Sequence, residues 1–290
     1  MADASDVRIC TWNIQWARGR DGRVDAERIA ALLKAVDADV VCLQEVAINH
    51  PGLPGMPLGN QAQQLAAMLP HHESAFCAGS DLADGCGGRR QFGQLILSRL
   101  PMLQVFRHRL PWPADPAVPS MQRVALEVVI GTQTRSLRIV TTHLEYYSRR
   151  QRSAQVEALR EIHAEGWNHA MHPRSSAEPD SPFAVLPRGE GTVLCGDFNF
   201  TPATAEYERL QEPFAGEAGT PRLVDAWTLL HRDRPHAPTF GLAPSEAIPA
   251  PECFDFFFVS ENLAQNLRGI AVDSASEASD HQPVMLDIAL

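Results

Sequence analysis

Several apolar, strand-like segments of the chain end in a polar side chain that burial alone would not choose. Asn13 follows ICTW, Glu45 follows VVCLQ, His143 follows IVTT, and Asp197 with Asn199 follows VLCG. Asp255 sits within CFDFFFV, and Asp280 with His281 opens SDHQPV. Each has an ordinary explanation on its own: a turn asparagine, a strand-end glutamate, a core histidine, an aspartate capping a turn before Pro283. The set is harder to explain that way. Several carboxylates gathered at adjoining strand ends are costly unless cations or hydrogen-bond donors compensate them, and a divalent metal does so most directly. Carboxylate and amide oxygens without thiolates suit Mg²⁺ or Mn²⁺, which keep waters and bind phosphate oxygens. The histidines can donate hydrogen bonds to a phosphate or transfer protons. This is the chemistry of a phosphate-ester hydrolase.

These residues need elements to carry them. VRICTWNIQW reads as a strand, and VDAERIAALLKAV as a helix with Ile29, Leu32, Leu33 and Val36 on one face; DVVCLQEV then reads as a buried strand. NQAQQLAAMLP is a second short helix ended by Pro70. HESAFCAG, QLILSR, LQVFRHRL, QRVALEVVI and RSLRIVTTHL follow as strands, then a helix from about Ser148 to Trp167. HPRSSAEPDSPFAVLPRGEG has the composition of a surface connection. TVLCGDFNF, CFDFFFVS, RGIAVDS and PVMLDIAL are the later strands. If the strand continues through LCGDFNFTP, Asp197 and Asn199 share one face while Phe198 and Phe200 take the other. Many strands with a few interspersed helices predict two packed sheets covered by helices. No linker separates the motifs, so a single domain spanning 1–290 is expected.

The 290 residues, 44% of them hydrophobic, can fill a sizeable core. A net charge of -10 opposes long-range attraction of the whole molecule to a nucleic-acid backbone, although a local basic patch could still bind phosphate. The six cysteines are scattered without CxxC spacing, which argues against zinc, and Cys77 and Cys86 are expected to stay reduced. No apolar run approaches a membrane span and no signal peptide opens the chain, so a cytoplasmic monomer is expected.

Taken in order, TWNIQW, LQEV, GQLILSRLPM, QRVALEV, TTHLE, GDFNFTP, CFDFFFVS and SDHQPV resemble the endonuclease/exonuclease/phosphatase superfamily, the fold of pancreatic deoxyribonuclease. The resemblance implies an α+β fold, a four-layer α/β/β/α sandwich with two mixed sheets face to face and the site at one edge. It implies that Glu45 is the principal metal ligand, with Asn13 beside it and Asp280 near the same or a second metal position. It further implies that Asp197, held by Asn199, orients or deprotonates the attacking water. By the same resemblance, His281 paired with Asp255, together with His143, meets the phosphate, and Asn199 and Arg123 are further phosphate contacts. Arg149, Arg150 and Arg152 crowd a helix N-terminus, where positive charge opposes the macrodipole; Arg152 and Gln155 serve equally well as helix anchors. Two departures from the family pattern bear on substrate choice: Phe-Asp-Phe in place of Ile-Asp-Tyr, and Gln94 where a small residue or asparagine is usual. The expected partner is a phosphate ester, with nucleic acid as a narrower alternative and a non-catalytic binding module as a rival on the same fold.

Overall fold

The computed structural model describes residues 6–132, 135–173, 181, 183–184, 186–215, 219–242 and 250–290. The chain runs β1 (Asp6–Asn13), α1 (Ala26–Val36), β2 (Val40–Ile48), α2 (Gln61–Met68), β3 (Glu73–Ala83), β4 (Arg89–Ser98), β5 (Met102–Arg109) and β6 (Val124–Gly131). It continues through β7 (Ser136–His143), α3 (Arg149–Met171), β8 (Thr192–Asp197), α4 (Ala205–Gln211), β9 (Leu223–Asp225), α5 (Ala226–His231), β10 (Asp255–Ser260), β11 (Leu267–Val272) and β12 (Val284–Ala289).

Two six-stranded sheets result, ordered β11-β12-β1-β2-β4-β3 and β5-β6-β7-β8-β10-β9. Each is antiparallel except at one central pair: β1 with β2, joined through α1, and β7 with β8, joined through α3. Strand alternation explains the layers. Ile9, Cys42, Ile96 and Leu286 from the first sheet meet Leu126, Ile139, Val193 and Phe257 from the second in the central core. The residues between them face outward: Trp12, Val41 and Leu43 pack on Ile29, Leu33 and Leu65 of α1 and α2. On the other side Val140, Leu194 and Phe258 pack on Val156 and Leu159 of α3 and Leu210 of α4. The expected four-layer α/β/β/α sandwich is the observed fold.

Local chemistry sets the element ends. Asp25 caps α1 by accepting from Arg28 N at 3.0 Å, and Ser148 caps α3 by accepting from Gln151 N at 3.2 Å. The first strand stops at Asn13 rather than continuing to Trp16, because Gln15, Trp16 and Ala17 all take positive φ. Sequence periodicity misses α4, β9 and α5, which have 7, 3 and 6 residues and are too short to show a repeat. Residues 174–180, 182 and 185 of the HPRSSAEPDSPFAVLPRGEG connection lie outside the described residues. All six cysteines are free; Cys77 is buried in β3, while Cys86 is exposed in the β3–β4 turn.

Candidate active site

Register brings the second sheet's contribution together. His143 ends β7 opposite Asp197, and Asp197 ends β8 opposite Asp255 at the start of β10, so three adjacent strands present side chains at one level. Gly196 permits this approach: with φ +137, an added Cβ there would lie 2.0 Å from Thr142 O. The first sheet supplies Asn13 at the end of β1 and Glu45 within β2. Asp280 and His281 arrive on the turn before β12.

The two sheets meet through hydrogen bonds. Asn13 Nδ2 donates to Asp197 Oδ2 at 2.9 Å and to Glu45 Oε1 at 3.1 Å, while its Oδ1 accepts from Gln15 N at 3.0 Å. His143 Nε2 and His281 Nε2 lie 3.4 and 3.6 Å from Asp197 Oδ2, so both imidazoles turn toward one carboxylate oxygen. His281 Nδ1 is 2.8 Å from Asp255 Oδ2, which also accepts from Thr239 Oγ1 at 2.7 Å. Asp280 Oδ2 accepts from Gln15 Nε2 at 2.6 Å.

The strand-alternation expectation for Asp197 and Asn199 is corrected. The strand ends at Asp197, and Asn199 adopts φ +51, a conformation that asparagine tolerates better than most residues. Asn199 supports Asp197 through its backbone N, 3.0 Å from Asp197 Oδ1. Its side-chain Nδ2 donates to Leu144 O at 2.9 Å, tying the β8 exit to the β7 exit instead of pointing alongside Asp197.

Backbone strain concentrates in the first sheet's half of the site. Glu45 has φ +59 where the β2–β4 register shifts between Leu43 and Val46, and the left-handed Gln15–Ala17 turn lies directly after Asn13. Such conformations cost on the order of 1–3 kcal/mol each and persist where surrounding contacts over-determine them.

The electrostatics divide the site. Burial and the neighbouring Asp280 push the Glu45 carboxyl up to about 7, against the opposing Asn13 hydrogen bond. Burial raises Asp197 to about 6, with the His281 charge and hydrogen bonds from Asn13 and Asn199 opposing it and Asp255 adding to it. Burial alone would lower His281, but Asp255 and Asp197 raise it to about 10. His143 is driven well below the usual imidazole range by burial, with Arg123 and His281 adding to the effect. At neutral pH one histidine is therefore charged and the other neutral.

Arg123 is buried before β6, with Nε 3.2 Å from Glu145 Oε2, and lines a small gap together with Glu45 and His143. The helix-terminal arginines are occupied in tertiary contacts: Arg149 with Glu206, Arg150 with Ala114 O, and Arg152 with the carbonyls of Glu145 and Tyr146. Gln155 accepts from Glu145 N, so Arg152 and Gln155 anchor the turn that carries Glu145. Thr239, Gln15 and Ser279 escaped sequence reasoning. Ser279 Oγ donates to Asn13 O at 2.8 Å and accepts from His281 N at 3.2 Å. Its place before Asp280 was a usable signal, whereas Thr239 lies in a loop without periodicity.

No curated protein sequence matches the chain. Among solved structures it is similar to an endonuclease/exonuclease/phosphatase from Beutenbergia cavernae, at 24% identity and TM-score 0.65, over 98% of this chain and 72% of that one. It is similar to D. rerio TDP2 complexed with single-strand DNA product, at 18% identity and TM-score 0.62, over 99% and 100% of the two chains. A mannosyl-6-phosphatase from Bacteroides thetaiotaomicron shares 14% identity at TM-score 0.65, over 98% and 100%. At these identities the likeness is one of fold. The model of the endonuclease/exonuclease/phosphatase family, however, matches residues 10–281, and the chain belongs to that family.

Proposed function

We propose that the protein is a divalent-metal-dependent phosphoesterase that hydrolyses its ester by direct attack of water. The carrying observation is the environment of Asp197: Asn13 and the Asn199 backbone fix the carboxylate, and both histidines aim Nε2 at its Oδ2.

The donor set fits a hard cation. Burial and the nearby Asp280 raise the Glu45 carboxyl, and the repulsion between the two carboxylates is a penalty that Mg²⁺ or Mn²⁺ would relieve. Glu45 and Asp280 would hold the ion, with Asn13 steadying Glu45. The bound cation would neutralise phosphate oxygens and the developing charge. Asp197, Asp255 and His281 also converge closely enough to chelate, with ligand atoms within 4.8 Å of one another. There the charged imidazole already compensates the two carboxylates, so we read this trio as the proton-handling half.

Asp197 accepts the proton of the water as its oxygen bonds to phosphorus and the ester P–O bond breaks. His281, held charged by Asp255, stabilises the added negative charge and is the group able to give a proton to the leaving oxygen. Neutral His143 donates a hydrogen bond to the phosphate. The test is hydrolysis of paired chromogenic diester and monoester substrates by metal-stripped protein, with and without Mg²⁺ or Mn²⁺, alongside Glu45→Ala and Asp197→Asn. Metal-dependent turnover lost in both variants supports the reading; turnover surviving in both sinks it.

One observation favours a nucleic-acid substrate. Tyr146 and Tyr147, just beyond His143, are 50% and 59% exposed, with ring centroids 4.9 Å apart. Exposed rings beside Arg149 offer stacking surfaces for unpaired bases. Binding of single-stranded DNA should then weaken steeply with salt.

A further inference from the structure

Gln94 is the most conspicuous polar residue left over by the site described above. It lies in β4 directly opposite the irregularity of β2: Leu43 pairs with Leu95 and Val46 with Gly93, so Gln44 and Glu45 together face Gln94. Strand alternation turns it inward, on the face of Ile96, while Leu95 and Leu97 face the outer helices. The side chain is 3% exposed, and its Oε1 is buried without a hydrogen-bond partner. It borders a gap of about 10 Å³ that is also lined by Glu45, Gln122, Arg123 and His143, with room for a single oxygen-sized group. Gln122 is already spent: its Nε2 donates to Leu110 O and Arg123 O, and its Oε1 accepts from Arg109. Gln44 also leaves Oε1 unpartnered, but its Nε2 is held by Thr11, Cys42 O and Thr141, and it does not border the gap.

An unsatisfied buried amide is expensive, so its partner is part of how the site works. An amide offers both an acceptor and a donor. A phosphoryl oxygen can only accept, whereas a hydroxyl can do both and fits a gap of this size. We propose that Gln94 is a substrate-contact residue that reads a hydroxyl group on a carbon arm of the ester, beside the phosphate held near Glu45 and His143. A water fills this place in the free protein and is displaced by the substrate hydroxyl; an ester lacking that hydroxyl leaves the amide unsatisfied. The inference rests on the phosphoesterase reading and adds the substrate feature that the reading lacks.

The test uses two pairs of ligands: 2-hydroxyethyl phosphate with ethyl phosphate, and their methyl diesters. Binding is measured by calorimetry in Ca²⁺ and turnover in Mg²⁺, for the wild type, Gln94→Leu and Gln94→Asn. The wild type should bind the hydroxylated member of at least one pair about tenfold more tightly. Gln94→Leu should lose that preference through the hydroxylated member, and Gln94→Asn should retain part of it. A structural role for Gln94 would weaken both members alike. Equal binding by the wild type, as expected if a permanent water satisfies Gln94, overturns the proposal, as does a preference that survives Gln94→Leu. Binding preference without turnover of any ester would leave the proposal standing and count against the hydrolase reading. Turnover without preference would do the reverse.

Discussion

His281 Nδ1 lies 2.8 Å from Asp255 Oδ2, joining the turn before the last strand of one sheet to the first residue of β10 in the other. The bond fixes the ring so that Nε2 faces Asp197, and the Asp255 charge helps to raise His281 to about 10. Asp255→Asn should lower the His281 pKa, which NMR titration of the ring would read, and should reduce kcat about 10²-fold. Thr239→Val removes the second donor to Asp255 and also the oxygen that accepts from the Phe254 and Asp255 backbone N–H groups, so it should cost stability, about 1–3 kcal/mol for each stranded donor, while leaving the His281 titration closer to wild type than Asp255→Asn does. An unmoved His281 titration in Asp255→Asn would remove this account of its charge.

The pH profile follows from the two groups that must hold opposite protonation states. Asp197 has to be ionised and is raised to about 6, whereas His281 has to be charged and is raised to about 10. A profile of kcat/KM should therefore rise through about pH 6 and fall as pH approaches 10. Loss of activity already at neutral pH would mean that His281 works uncharged.

Metal binding should be visible in stability. Glu45 is raised in the folded protein, so its contribution is present below its ordinary value of 4.5 and is lost as pH rises through about 7. Metal-free protein should therefore weaken as pH rises from about 4.5 to about 7 and level off above that, and Mg²⁺ should restore it at neutral pH, by about 2.7 kcal/mol at a hundredfold excess over Kd. Glu45→Gln should raise the metal-free Tm at pH 8 while abolishing the Mg²⁺ response. A variant that still gained stability from Mg²⁺ would move the ion away from Glu45.

Glu127 provides a control far from the chemistry. Burial would raise its carboxyl, but His108 and Arg138 hold it down at about 2, and Arg138 Nε is 3.0 Å from Glu127 Oε1 with both side chains fully buried. A depressed carboxyl stabilises the fold above its unfolded value of 4.5 and loses that contribution as pH falls toward 2. Glu127→Ala would strand the Arg138 charge and should cost about 3–5 kcal/mol. Chemical denaturation at pH 7 measures it, and a loss below about 1 kcal/mol would show that the cluster relaxes.

At Asn199 the backbone and the side chain can be separated. Asn199→Gly keeps the positive φ and removes the bond to Leu144 O, whereas Asn199→Ala also incurs left-handed strain of about 1–2 kcal/mol. The alanine variant should therefore melt lower than the glycine variant; the reverse order would place the stabilisation elsewhere.

The sequence alone determined the layers and the identity of the polar groups. Period-two alternation marks which side chains of β1, β2, β7 and β8 face the core, and Asn13, Glu45, His143 and Asp197 stand out because each interrupts an apolar run. Tertiary structure decided how those groups divide their work. The sequence pattern put Asp197 and Asn199 on one strand face, but the strand stops at Asp197, and what Asn199 presents to it is a backbone N–H. Thr239, Gln15 and Glu145 became partners of site residues only through loops whose positions no local repeat encodes. The charge on His281 and the neutrality of His143 depend on burial and on carboxylates or cations brought close from distant parts of the chain. Residue type and spacing are local properties, whereas desolvation and Coulomb interaction depend on distances that exist only once the two sheets have packed.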